Sequence, residues 1–206
     1  MSAAPSIELR TGFDAVLSPG ELEDARHGGS RGMEAIYRAF QRPAYNLARR
    51  MTGCEQAGWD VMQDAFMHAF RSLHQYRGDA PFGRWLRSIV ASEALMHLRS
   101  GRRLLELFSS SDELAVEAPV EDVSTLDLER ALALLPSLPR SVLWLYHVEG
   151  YTHAEIAAMC GKTASFSKSQ LSRAHARLRE VLGVEGGALP SSKNVVPLRR
   201  TYEQLV

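Results

Sequence analysis

The chain has 206 residues, is 45% apolar and balances 24 Lys plus Arg with 24 Asp plus Glu. That composition excludes the low-hydrophobicity, high-charge regime of disorder and leaves room for one large or two small domains. No apolar run approaches the roughly 20 residues a bilayer demands, and the first residues lack a basic start and an apolar segment. A cytoplasmic protein without membrane insertion is therefore expected. Its two cysteines, Cys54 and Cys160, build neither a disulfide framework nor a four-ligand zinc site.

The zero net charge is a cancellation. Residues 30–103 carry 12 basic and 6 acidic groups, 104–129 carry none and 8, and 130–183 carry 7 and 3. Two basic blocks thus flank an acidic one, so neutrality overall does not exclude a polyanionic partner.

Residues 1–29 read as a flexible or weakly helical extension ending in Gly28-Gly29. From 30 to 103 the apolar pattern is helical. Ile36, Phe40, Ala44, Leu47 and Met51 line one face, with Pro43 expected to bend or break it. Met62, Phe66, Ala69 and Leu73 form a second stripe after Thr52-Gly53-Cys54-Glu55. Phe82, Trp85, Leu86, Ile89 and Val90 form a third, which runs into Arg99, Arg102 and Arg103. Three such helices can share one small core. Residues 104–125, acidic and serine-containing, read as a flexible linker. Helical periodicity returns over 126–183, and 184–206 form an unassigned tail. The expected fold is all-α, two small helical domains on an acidic tether.

Within the second domain, Tyr151 to Gly161 reads as a short helix closed by a glycine turn. Thr152 and Glu155 form a capping-box pattern, and Thr163 is placed to cap the next helix. That helix carries Lys168, Ser169, Gln170, Arg173 and Arg177, with Leu171 and Leu178 inward. A basic second helix behind a glycine turn suits a major groove: residues near its start reach base edges and later cations hold phosphates. The plain alternative is a helical hairpin with a solvated basic face.

Residues 134–182, including Leu135-Pro136-Ser137-Leu138-Pro139-Arg140 and Lys168-Ser169-Gln170-Leu171, resemble region 4 of sigma factors of the sigma-70 superfamily. Gln63-Asp64-Ala65-Phe66 and Trp85-Leu86-Arg87-Ser88-Ile89-Val90 resemble region 2 of the extracytoplasmic-function group. The resemblance implies a non-enzymatic factor that joins core RNA polymerase and directs it to promoter DNA. Asp60, Gln63 and Asp64 would dock on the clamp helices of the largest polymerase subunit, through charge-assisted bonds to a basic partner. Tyr76 and Arg77, in the loop before the third helix, would hold a flipped base of the minus-ten element. Arg84, Arg87, Ser92, Arg99, Arg102 and Arg103 would contact that DNA, whereas Trp85 fits the buried stripe. Lys168, Ser169, Gln170 and Arg173 would read the minus-thirty-five element, with Arg177 on phosphate. Region 4 would also meet the polymerase flap, and the acidic linker would follow a basic channel toward the RNA exit.

Three departures stand out. Gly58-Trp59-Asp60 replaces the usual Ala-Glu-Asp, so an aromatic occupies the place of an acid. Ser92 and Met96 stand where Asn and Asp are common, and Ala164-Ser165-Phe166-Ser167 replaces a Gly-Thr-Val start. The first departure resembles a sub-group in which the acidic motif is degenerate and a Ser/Thr protein kinase supplies the charge. Thr52, beside Arg49 and Arg50, is the candidate acceptor, since a phosphate adds about −1.5 to −2 charge. Its plain alternative is a capping box with Glu55 that holds the next helix start. An anti-sigma factor is the other expected regulator. The competing function is a helix-turn-helix regulator that does not recruit polymerase. An enzyme is disfavoured, because His147, His153 and Cys160, or Asp60 with His68, lack a helical metal-binding spacing; neither a metal nor a cofactor is expected.

Overall fold

The computed structural model describes residues 12–108 and 128–182, and no strand occurs among them. Four α-helices form the first domain: α1 Pro19–Arg26, α2 Ser30–Thr52, α3 Glu55–Arg71 and α4 Phe82–Phe108, with a 3-10 turn at Leu73–Gln75. The second domain holds α5 Leu128–Ala133, α6 Ser137–His147, α7 His153–Cys160 and α8 Ala164–Val181. The all-α, two-domain expectation holds. Residues 109–127, where most of the acidic connector is expected, and the 184–206 tail lie outside the described residues.

The first core follows the apolar spacing of the sequence. Ile36, Phe40, Ala44, Leu47 and Met51 are all buried on α2, against Val61, Met62 and Phe66 of α3 and Leu86, Val90 and Leu95 of α4. Phe40 lies between Phe13 and Phe82, with ring centroids 6.2 and 5.5 Å away. Each large side chain removed from water contributes about 1.5–3 kcal/mol, so this cluster outweighs local propensity.

Two expectations are answered in part here: α2 does not break at Pro43, and of the flexible and weakly helical readings of 1–29, residues 19–26 follow the helical one. Pro43 lies inside α2, which runs on uninterrupted from Ser30 to Thr52. One lost backbone bond is offset by the buried residues on either side of it, Phe40 and Ala44. The stretch 12–29 is also no loose extension. Phe13 is buried, α1 packs on α2, and Ser18 with Glu21 forms a reciprocal capping box at the α1 start.

The second domain packs α6, α7 and α8 around Val142, Leu143, Leu145, Ile156, Leu171, Ala174 and Leu178. Thr152 and Glu155 make the expected capping box, with the Glu155 carboxylate accepting from the Thr152 amide at 2.7 Å. Gly161 ends α7 at φ +59°, a left-handed conformation that a side chain would strain. Thr163 sits at the N-cap of α8, yet its hydroxyl makes no capping bond. The domains do not stand apart: α6 packs on both α2 and α4, and α7 on α4.

Candidate polymerase and nucleic-acid interfaces

On α3 the buried positions Val61, Met62, Ala65, Phe66 and Ala69 leave the opposite face in solvent. Trp59, Asp60, Gln63, Asp64 and Met67 are all exposed on that face. The sequence therefore placed Asp60, Gln63 and Asp64 on one accessible surface, as a helix period requires. Trp59 is 44% exposed and packs on Tyr45 in a tilted pair, 4.5 Å between centroids and 34° between planes, so the indole is held yet partly open to solvent. Beside the face, Asp64, Met67, His68, Arg71 and Glu93 line an open groove of about 320 Å³. Its wall is fixed by the 2.6 Å contact of His68 Nδ1 with Glu93 Oε1.

The loop after α3 is more committed than the sequence suggests. Arg77 is exposed, but Tyr76 is half-buried. Its ring lies 5.3 Å from Phe82 and 5.5 Å from Trp85, and its hydroxyl donates to the Ala80 carbonyl at 2.7 Å. Arg26 donates to the Tyr76 carbonyl and covers the ring at 5.9 Å. Tyr76 is thus a packed anchor for the loop rather than a free stacking platform, and Arg77 is the accessible group. Trp85 joins the same aromatic cluster, as its place in the buried stripe implied.

Along α4, Arg84 is exposed and Ser92 is half-buried. Arg87 is half-buried and Arg99 is exposed, and each has a partner in the second domain. Arg87 Nη1 pairs with Glu149 Oε2 at 3.2 Å, and Arg99 Nη1 donates to the Cys160 carbonyl at 3.0 Å. The side chains of Arg102 and Arg103 lie outside the described residues.

On α8, Lys168, Ser169, Arg173 and Arg177 are exposed, whereas Gln170 is 6% exposed. Gln170 is a correction. Ser167, Gln170, Leu171, Ala174 and Leu178 form the inward stripe, and Gln170 falls inside it because that stripe is wider than the leucines alone indicate. Ser165, Ser172 and Arg179 share the exposed surface instead. Phe166 packs against the core and is only partly accessible.

Behind this face lies a histidine cluster. His153 stacks on Tyr146 at 4.4 Å and meets Ser167 Oγ at 3.0 Å, while the Nε2 atoms of His147 and His175 lie 3.1 Å apart. Burial, with His175 and His153 close by, drives the His147 pKa down from 6.5 to about 4. One ring of the His147–His175 pair must donate and the other accept, so neutral imidazoles fit the site. Among the described residues no group of three or more His, Cys, Asp or Glu could hold a metal ion.

Thr52 closes α2 rather than opening α3. Its hydroxyl donates to the Ala48 carbonyl at 2.9 Å and is buried, and the N-cap of α3 is Cys54, without a side-chain bond. The expected capping box with Glu55 does not form. Gly53 follows at φ +72°, and the Arg140 guanidinium occupies the space a Cβ would need.

The chain has counterparts among known proteins. The family model of sigma-70 region 2 matches residues 36–104, and that of sigma-70 region 4 matches 125–178. The ECF RNA polymerase sigma factor SigM of Mycobacterium tuberculosis is 31% identical over 172 residues, covering 81% of this chain and 85% of the relative. RNA polymerase sigma-H factor of Pseudomonas aeruginosa is 27% identical over 176 residues, covering 78% and 91%. In fold, the chain is similar to the sigma factor RpoE of Bartonella quintana, solved with the anti-sigma factor NepR. That match has a TM-score of 0.50 at 24% identity and covers 74% of this chain and 98% of the other. The chain belongs to the ECF group of the sigma-70 family, whose members are non-enzymatic transcription initiation factors that bind core RNA polymerase and promoter DNA.

Proposed function

We propose that this chain directs core RNA polymerase to its own set of promoters, with α3 as the docking helix and α8 as the duplex-reading helix. The observation that carries the reading is the pair of solvent faces. One presents Asp60, Gln63 and Asp64, the other Lys168, Ser169, Arg173 and Arg177, and each lies on the outer side of a buried apolar stripe. The acidic face suits basic clamp helices, and the cationic one suits a major groove and its phosphates. Trp59, held on Tyr45, supplies apolar contact where relatives use charge. Arg77, Arg84 and Arg99 are the promoter-melting groups left accessible among the described side chains, with Arg87 joining once Glu149 leaves it.

Regulation by a Ser/Thr kinase at Thr52 is compatible with this reading in one form only. The hydroxyl is buried and donates to the Ala48 carbonyl at 2.9 Å, so a kinase acts on Thr52 only after the end of α2 has opened. An anti-sigma protein is the other class of regulator, as RpoE of Bartonella quintana has one bound. The proposed place of action is the cytoplasm; no described helix is long and apolar enough to cross a membrane.

The test is transcription of genomic fragments by purified core polymerase, with and without the chain, and mapping of transcript starts. New starts that share upstream sequence are expected. Binding of DNA without any new start would favour a helix-turn-helix regulator that does not recruit polymerase.

A further inference from the structure

The segment that leads into α2 is held firmly, and it ends against the loop that precedes α4. Several contacts fix α1. Ala25 is buried and Leu22 packs on the core. The Asp24 carboxylate accepts from the Gly32 amide at 2.7 Å, which satisfies one of the amides that the first turn of α2 leaves unbonded. A Cβ on Gly32 would collide with the Glu21 carbonyl and the Ala25 amide, so the two helices cross with their backbones in contact. Upstream, Phe13 is buried, and its carbonyl occupies the space that a Cβ on Gly83 would need at the start of α4.

From this fixed base Arg26 reaches the loop 76–81. Its Nη1 lies 3.5 Å from Glu23 Oε2 on its own helix, its Nη2 donates to the Tyr76 carbonyl at 2.6 Å, and the guanidinium covers the Tyr76 ring at 5.9 Å. That carbonyl belongs to the planar Tyr76–Arg77 peptide, so holding it fixes the direction in which the chain enters Arg77. The Tyr76 hydroxyl ties the far side of the loop by donating to the Ala80 carbonyl at 2.7 Å. Between the two ties, Arg77, Gly78 and Asp79 are all exposed, with Gly78 at φ +85° and open space around it. The loop is thus anchored at its ends and open at its tip. An untied loop would lose its conformational freedom only when a base arrived, which weakens capture.

We propose that Arg26 is a positioning residue for base capture: α1 holds Arg26, Arg26 holds the Tyr76–Arg77 peptide, and Arg77 is thereby presented to a base flipped out of the minus-ten strand. This rests on the reading of the 76–81 loop as a promoter-melting loop, and it extends that machinery back through α1 to Phe13. Arginine suits the place better than lysine. A planar guanidinium meets the Glu23 carboxylate, bonds the Tyr76 carbonyl and covers the ring at once, whereas an ammonium is a single point of charge. Arg26 itself need not touch the DNA, since its effect passes through the backbone of the loop.

The test uses the full chain bound to core polymerase and a single-stranded minus-ten oligonucleotide from a mapped promoter, with an abasic site moved through it one position at a time. The wild type should lose about tenfold or more in affinity at one position, that of the captured base. Arg26→Ala should bind the intact strand about tenfold more weakly than the wild type, and removal of the same base should then cost it less than about twofold. Arg26→Lys should restore part of the abasic penalty. Duplex binding through α8 should be equal in all forms, which separates a misplaced loop from a general loss of folding. Arg26→Gln, with the same expected loss, carries the comparison where the alanine form does not fold. A whole abasic penalty retained by the folded alanine or glutamine form would overturn the role of Arg26 and leave the loop reading intact. A wild type that initiates transcription yet shows no captured position would sink the loop reading, and the role of Arg26 with it.

Discussion

The basic residues of α4 and of α8 look alike in sequence and differ in the folded chain. Arg87 is held in a shielded pair with the other domain and the exposed Arg99 donates to it, while Lys168 and Arg173 face solvent and the exposed Arg177 pairs with Glu180 of its own helix at 3.0 Å. Both sets come from amphipathic helices with similar charge, so composition does not separate them. Neighbours do. A cation is less available for binding where its own chain holds it in a shielded charge pair, and on α4 the second domain does this to Arg87.

The comparison can be broken most sharply at the docking helix. Exchanging Asp60 and Asp64 for Lys puts cations where a basic partner must dock, and should lower polymerase affinity at least about 100-fold. DNA binding through α8 should be unchanged, which a filter-binding assay reads. On α8, Arg173→Ala should cost about 1–3 kcal/mol and relax preference at one promoter position. Gln170→Ala should leave base preference intact, because its side chain points inward, and should lower thermal stability instead. Selection of bound sequences from a random pool distinguishes the two.

A smaller effect concerns pH. His147 is a base whose pKa is depressed on folding, so its contribution is complete above about pH 6.5 and is lost as pH falls toward 4. Partial solvent exposure screens the cost, leaving about 1–2 kcal/mol. Acid should therefore unfold the second domain before the first, and His147→Gln should flatten that difference in a urea titration at pH 5 against pH 7. The smallest contrast lies in the caps. Thr152→Ala removes a formed capping box and should cost about 1 kcal/mol, whereas Thr163→Ala removes no bond and should cost little.

Much of the fold was legible because its signals are periodic. Ile36, Phe40, Leu47 and Met51 recur as a helix face, and Thr152-x-x-Glu155 before Gly161 marks a helix between cap and turn. Features that depend on tertiary context were not. Pro43 is tolerated because the buried neighbours on both sides hold α2 together, and Phe13 joins the core from a stretch with no periodicity of its own. Tyr76 looked free because a loop tyrosine carries no sequence mark of the Phe82 and Trp85 rings it packs on. Thr52-x-x-Glu55 matches a capping box in letters, but α2 extends to Thr52 and takes its hydroxyl for the Ala48 carbonyl. The interdomain pair of Arg87 with Glu149 joins residues 62 apart and leaves no local trace.

Stoichiometric binding to purified core RNA polymerase tests the central claim most directly, measured for the wild type and for Asp60→Lys with Asp64→Lys. The account predicts a sub-micromolar complex for the wild type that is lost in the double variant, in line with the cost of reversing charges in a docking face. A wild-type chain that shifts promoter DNA yet leaves the polymerase unbound would contradict it.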